Sequence, residues 1–447
     1  MNHNTNPSVG TREFPLSLDT IKTSLPAVLF VLVSLFNVGR RFLFDYRLLT
    51  DDAAFFLHGG WYMSQGANLY TNIWDINPPV PFEISWIFSL VTGGNTRGMY
   101  ALAVLTSIVL GAGIILLITD VVLGMTEDVE AAMWAGLCLL VVPGFHWNAS
   151  AGIHPKYLVM FLGFASLYFA IRSRPALAGA CVAAATLSWQ LGAFFLPLAF
   201  GLLLSEDRIT NTVWYITGGI VTTAVIFAPI ALTSGVRPFL LEVVIAPSKT
   251  GDAISISNLG KILTMLGISS IPMALGVFGA LLHDKTDSWW ILCGGTLFLF
   301  QLVALDFDGR RDMYVGLCFA AVGFGLLVAH TNRERLLKAM VALLLVVSIG
   351  PLGGFGVVDY SVTASEQARP PHPLFQSSIH AIGETVGVSG TSYQSLSRRD
   401  EISQQNLFWN TISPDHCHYM MSRAEIQWMD ATGVGRDECG QLPLRQV

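Results

Sequence analysis

Long apolar runs separated by short polar stretches pattern this chain from about Leu25 to Leu352. Two of them, Met99–Thr119 and Val213–Thr233, carry no charge over the roughly twenty residues that a helix needs to cross the hydrocarbon core of a bilayer. Shorter or less pure runs predict further spans at Leu25–Val38, Ala131–Trp147, Tyr157–Ile171, Ile268–Leu282, Trp289–Leu305, Met313–Ala329 and Ala339–Leu352. Pro175–Leu204 is too long for one simple span and carries Ser188, Trp189 and Gln190 at its middle, so it reads as two short helices joined by a tight turn. The pattern predicts an all-α polytopic membrane protein with about 11 transmembrane helices, or about ten if that stretch is unbroken.

Between the first span and Met99 the pattern changes. Asp52–Met63 is aromatic-rich and too short to cross, which suits a helix lying in the membrane interface. Asn77, Pro78 and Pro79 then predict the start of a second short helix, with Asn as its cap and Pro in its first turn. A transmembrane domain over residues 1–353 is therefore expected, with an outer loop at 40–98 and a second outer segment at Ser234–Gly267. Residues 354–447 have a different composition, with a Pro-rich start, and predict a small extracytoplasmic C-terminal region.

Composition agrees with the pattern: 52% of residues are hydrophobic and 13% charged, and the mean hydropathy is +0.55. The net charge of −6 comes without a basic stripe, so no nucleic-acid partner is expected. Lys and Arg gather in short cytoplasmic loops of membrane proteins. With the N-terminus inside, those loops hold Arg12, Lys22, Arg172, Arg174, Arg208, Lys285, Arg333, Arg335 and Lys338, whereas the short outer loops hold only Lys156, Arg310 and Arg311. The C-terminus then lies outside. Asp120–Glu130 runs against the rule, because it is expected inside yet has no Lys or Arg.

Charges within a bilayer are costly and usually functional, but here the spans are almost free of them. The distinctive charges gather on the outer side, at Asp51, Asp52, Asp75, Lys156, Asp306, Asp308, Arg310, Arg311 and Asp312. Asp51 and Asp52 open the first interfacial helix, where acids also serve simply to complement the helix dipole. As neighbours they point in different directions, so at most one acts on a substrate. Asp75 reads equally as a turn residue. Asp306–Tyr314 (DFDGRRDMY) offers Arg310, Arg311 and Tyr314 at the mouth of two spans, as a phosphate clamp or as interfacial anchors. His154 and Lys156 form a second candidate on the same face, with His154 more simply structural. Cys417 and Cys439 in the tail read as a disulfide in preference to a metal site with His416 and His418. No metal site is assigned and no cofactor is expected; a divalent cation is left open.

The run TDDAAFFLHGGWYMSQGANLY followed by WDINPP resembles the first outer loop of the membrane-embedded glycosyltransferase C superfamily. The similar branches are the protein O-mannosyltransferases, the lipid A aminoarabinose transferases and archaeal dolichyl-phosphate-mannose-dependent transferases. In that pattern an acidic pair opens an interfacial helix, a Gly follows fifteen residues after the first acid, and a Pro pair begins a second helix. Asp51 and Gly66 have this spacing, so the resemblance implies Asp51 as the catalytic acid, with Asp52 beside it. Asp75 and Asn77 fall in the donor-binding part of the same loop. Two positions depart from it: several relatives have Lys where this chain has Asn77, and a Lys at the split span where it has Ser188-Trp189-Gln190.

The resemblance implies an inverting transfer of a hexose, with mannose favoured by analogy, from a polyprenyl- or dolichyl-phosphate carrier to a hydroxyl of a glycan, protein or lipid acceptor. The residues suit that chemistry. A sugar on a lipid phosphate already has a good leaving group, leaving the enzyme to deprotonate the acceptor and hold the phosphate. Two rival classes remain. A solute transporter predicts broken helices at the bilayer midplane and inverted repeats, and an inactive scaffold leaves the outer-face charges unexplained.

Overall fold

A helix that is apolar around its whole circumference is at home only in lipid or in the middle of a bundle, and both cases occur here. The computed structural model describes residues 18–43, 51–73, 75–204, 208–245, 257–283, 285–305, 310–331 and 333–349. Every regular element among these residues is a helix, with no strand. Four helices among them are long and apolar enough to cross a membrane singly: Leu18–Arg40 within α1 (Leu18–Leu43), α4 (Thr96–Thr126), α10 (Arg208–Thr233) and Arg311–His330, which contains α15 (Tyr314–His330). Shorter apolar helices complete the bundle, including α7 (Pro155–Ile171), α8 (Pro175–Thr186), α13 (Ser270–Leu282) and α14 (Lys285–Ala304). The protein is a multi-pass membrane protein.

Helix α15 occupies the centre and buries almost its entire length. It meets α13 backbone to backbone through Gly276, Gly279 and Gly323: a Cβ on Gly276 would fall on the Ala320 carbonyl oxygen. Small residues allow this approach where lipid offers no hydrophobic drive to association. Helix α10 lies at the edge. It buries only Tyr215 and Ile230, and it rests on α8 where Gly218 and Gly179 leave room for the partner's backbone.

Two expected spans are not straight. Ala131–Trp147 is two helices, α5 (Val129–Leu140) and α6 (Pro143–Ala149), bent by 73°. Pro143 explains the break, since proline lacks the N–H that would continue the helical ladder. Pro175–Leu204 separates at Leu187–Trp189 into α8 and a 3₁₀ turn, Gln190–Phe194, that runs on into α9 (Phe195–Leu203).

Ion pairs gather at one end of the bundle. Arg172 meets Asp120 at 3.2 Å, and Lys338 meets Glu130 at 2.5 Å and Glu334 at 3.0 Å. Lys22 also reaches Glu130, at 3.7 Å. Asp120–Glu130, expected as a loop, is the end of α4 and the start of α5, and it sits among basic residues from three other segments. The opposite end carries the candidate site.

The tail, including Cys417 and Cys439, lies outside the described residues. So do Asp306 and Asp308, and the side chains of Asp51, Asp52 and Arg310.

Candidate active site

Two short helices roof the site end of the bundle. Helix α2 (Asp51–Ser64) starts at the acidic pair, and α3 (Val80–Thr92) follows the proline pair. They pack closely because α2 has Gly59 and Gly60 at the crossing. A Cβ on Gly60 would overlap the backbone of Ser85, and one on Gly59 would meet the Phe82 ring. Phe55, Phe56 and Phe82 close this interface edge to face, at centroid distances of 5.0 to 5.4 Å. Ser64 and Ser89 share a 2.7 Å hydrogen bond at the far end of the crossing. Gly66 then lets the chain leave α2 at φ 98°, a left-handed conformation that a side chain would strain. The fifteen-residue spacing thus has a physical basis, as the length of α2 plus the turn that ends it.

The turn Asp75–Pro79 joins the two helices, and distant elements hold it. Asp75 Oδ1 accepts from the Asn77 N–H at 2.5 Å, closing an Asx turn. The expected capping role of Asn77 is therefore corrected: Pro79 occupies the cap position with no side-chain hydrogen bond, and Asn77 lies two residues too early. Tyr70 donates its hydroxyl to the Asn77 carbonyl at 2.8 Å. Gln190 Nε2 donates to the Ile76 carbonyl at 2.5 Å and more weakly to that of Val243 at 3.4 Å. The Val80 N–H reaches the Leu187 carbonyl at 3.1 Å. From the segment that follows α10, Ser234 donates to the Leu69 carbonyl, and Glu242 Oε2 accepts from the Asp75 N–H at 3.2 Å.

Glu242 sits in a π-helical turn, Leu240–Ile245, and is 1% exposed. Burial, reinforced by the neighbouring Asp75 carboxylate, pushes its carboxyl up to about 9 against a partial offset from the Asp75 N–H. Burial, and then the carboxylates of Asp75, Glu242 and Glu83, push the Tyr70 phenol well above its ordinary value.

A second cluster lies at the mouths of α7 and α15. Lys156 Nζ pairs with Asp312 Oδ1 at 2.9 Å, with both side chains nearly buried. The same ammonium stands 3.3 Å from the centroid of the Trp189 ring, a desolvated cation–π contact. His154 caps α7, its Nδ1 accepting from the Lys156 N–H at 3.2 Å. Tyr314 is buried and accepts a 2.7 Å hydrogen bond from Asn148 Nδ2. Arg311 is half-buried in the 3₁₀ turn Arg310–Met313.

The structure thus gathers the expected residues into two clusters. Asp75 and Asn77 form the turn, while Lys156, Asp312 and Trp189 form the mouth. The break in the split span joins them, with Trp189 under Lys156 and Gln190 on the turn. Sequence reading missed Gln190 and Glu242; a lone acid in the apolar run Phe239–Ile245 was the available signal for the latter. Among the described residues no group of three or more His, Cys, Asp or Glu side chains is placed to hold a metal ion.

Three comparisons bear on this arrangement. The DolP-mannose mannosyltransferase family matches residues 66–228. A dolichol phosphate-mannose mannosyltransferase of Haloferax volcanii is 28% identical over 423 residues, spanning 90% of this chain and 92% of the relative. The solved structure of ArnT from Cupriavidus metallidurans bound to undecaprenyl phosphate superposes with a TM-score of 0.50 at 17% identity, over 84% of this chain and 80% of that one.

Proposed function

We propose that this chain, a membrane glycosyltransferase of the glycosyltransferase C superfamily, transfers mannose or another hexose from a dolichyl- or polyprenyl-phosphate carrier to an acceptor hydroxyl. The observation that carries the reading is the similarity to the Haloferax mannosyltransferase along nearly the whole of both chains. The geometry supports it, since the loop with the acidic pair and the turn that follows it converges with Lys156 and the Arg310–Met313 turn at one end of the bundle.

In this reading that end faces outward, and about eleven crossings begin with a cytoplasmic N-terminus and end with an extracytoplasmic tail. The paired end of the bundle, with Lys22, Arg172 and Lys338, is the cytoplasmic one, in keeping with the preference of basic residues for that side. Asp51 acts as the base that takes the acceptor proton as its oxygen attacks the anomeric carbon. The sugar–phosphate bond breaks on the opposite side, and the configuration inverts in one step. Arg310 and Arg311 hold the departing phosphate, because a guanidinium fork matches phosphate oxygens. Lys156, paired with Asp312, anchors the 3₁₀ turn that carries them. The acceptor is a glycan, protein or lipid hydroxyl.

A transporter would place its helix breaks at the midplane. The break of the split span, at Leu187–Trp189, instead lies at the site end, against the Asp75–Pro79 turn.

The test is incubation of the purified protein in vesicles with radiolabelled dolichyl-phosphate mannose and candidate acceptors. Transfer of label with release of dolichyl phosphate is expected, and none from guanosine diphosphate mannose. Label transferred from the nucleotide sugar alone would overturn the reading.

A further inference from the structure

We propose that Glu242, together with Gln190, is a positioning residue for the transfer reaction, fixing the Asp75–Pro79 turn and through it the placement of α2 and α3. The inference rests on the transferase reading above.

From its own loop the turn is held by the Asp75–Asn77 and Tyr70–Asn77 bonds, and the rest of its partners are distant. Between Gly66 and Val80 the backbone is irregular, and buried peptide groups must be paired or they destabilise the fold. Three of the partners come from elements far away in sequence. Glu242 takes the Asp75 N–H, Gln190 takes the Ile76 carbonyl, and the Leu187 carbonyl takes the Val80 N–H. The last is a backbone contact that any residue can make. Glu242 and Gln190 are the side chains from distant elements on which this placement depends, and Gln190 also reaches Val243, tying the span break to the segment that carries Glu242.

A carboxyl is an expensive choice for this place. It is buried against a second acid, Asp75, and burying a charge without a counterion is strongly unfavourable. At neutral pH it is therefore held as the neutral acid, which removes the repulsion and leaves Oε2 as an acceptor for the Asp75 N–H. The other oxygen, Oε1, has no hydrogen-bond partner among the described residues. An apolar side chain would fill the same space more cheaply but would leave the Asp75 N–H unpaired. Single π turns are frequent at functional sites, and this one carries Glu242 into the turn between the two roof helices.

If the turn positions α2, its loosening moves the candidate base, and a misplacement of about 1 Å is worth up to about 100-fold in rate. Full-length Glu242→Ala, Glu242→Gln and Gln190→Ala proteins are compared with wild type for transfer from dolichyl-phosphate mannose and for hydrogen exchange of peptides covering 67–80. In Glu242→Ala we expect kcat to fall about tenfold or more with donor KM within about threefold, and exchange to quicken. Glu242→Gln offers a neutral acceptor of the same reach and restores both readouts to near wild type. Gln190→Ala behaves like Glu242→Ala, and it carries the test should the latter fail to fold.

Loss of folded protein with an unchanged kcat per folded molecule would overturn the proposal, as would quickened exchange at wild-type kcat. A Gln variant as slow as Ala would also overturn it, pointing to proton chemistry instead of placement. If wild type transfers nothing from the lipid carrier while exchange still responds, the transferase reading fails and the pinning of the turn survives it.

Discussion

The Lys156–Asp312 pair gives the sharpest energetic prediction. The two atoms stand 2.9 Å apart, with side chains 11% and 6% exposed, and the ammonium also lies 3.3 Å from the Trp189 ring centroid. Removing one member takes from the other its 2.9 Å partner in a nearly dry site and costs up to about 3–5 kcal/mol, whereas replacing both with apolar residues of similar volume is close to neutral. Lys156→Met and Asp312→Leu should therefore each destabilise the protein by about 3 kcal/mol or more, and the double variant should recover most of the loss. The loss of the cation–π contact, about 2 kcal/mol when desolvated, falls on Lys156→Met and is not recovered. Denaturant unfolding in bicelles completes the double-mutant cycle, with a coupling energy of about 2 kcal/mol or more expected between contacting charges. Additive effects would refute the reasoning and mean that the pair is solvated. Transfer kinetics separate a second role: if Lys156 also touches the donor phosphate, the double variant regains stability while its donor KM stays high.

Other predictions follow from the same geometry. Replacing Arg310 and Arg311 with Lys keeps the charge and loses the fork, so donor KM should rise measurably in the double Lys variant and further in the double Ala variant; unchanged donor binding in the latter would reduce both residues to anchors. Gly60→Ala forces a Cβ into the Ser85 backbone, which cannot rotate aside, so unfolding should cost less by about 1–3 kcal/mol; an undisturbed melting curve would contradict the α2–α3 packing. Glu242→Gln tests the buried acid by pH. From the ordinary 4.5 up to about 9 the unfolded chain gives up a proton that the folded chain keeps, so wild-type stability falls as pH rises through that window. The Gln variant has no such loss. Its advantage should be absent at pH 4 and grow to about 3 kcal/mol, as an upper bound, near pH 7; a difference that does not change with pH would refute a neutral, buried carboxyl.

Much of the bundle could be read from the sequence, because an apolar run of spanning length has few other uses. The two short helices α2 and α3 were also legible, from short aromatic runs bounded by Gly66 and the prolines. Other features depended on contacts that no local pattern carries. Pro143 marked the α5–α6 break, but a purely apolar run concealed it. Asn77 looked like a cap because its residue type favours that role; Asp75 takes the Asn77 N–H, and α3 starts later. Lys156 looked like a free cation for phosphate until Asp312, far along the chain, appeared beside it. Gln190 and Glu242 owe their interest to backbone groups 114 and 167 residues away. Spacing within the loop pointed to Asp51, and that role is carried by the resemblance and not by side-chain geometry.

The central claim is that Asp51 performs base catalysis on a lipid-linked sugar. Single-turnover transfer from dolichyl-phosphate mannose, measured on folded wild-type, Asp51→Asn and Asp52→Asn proteins, tests it most directly. Asn keeps the shape of the side chain and removes the proton acceptor, so Asp51→Asn should be slower by about 10²–10⁴-fold with donor binding largely retained, and Asp52→Asn should be affected less. Near-wild-type turnover in Asp51→Asn with collapse in Asp52→Asn would move the base by one residue, and near-wild-type turnover in both would contradict the account.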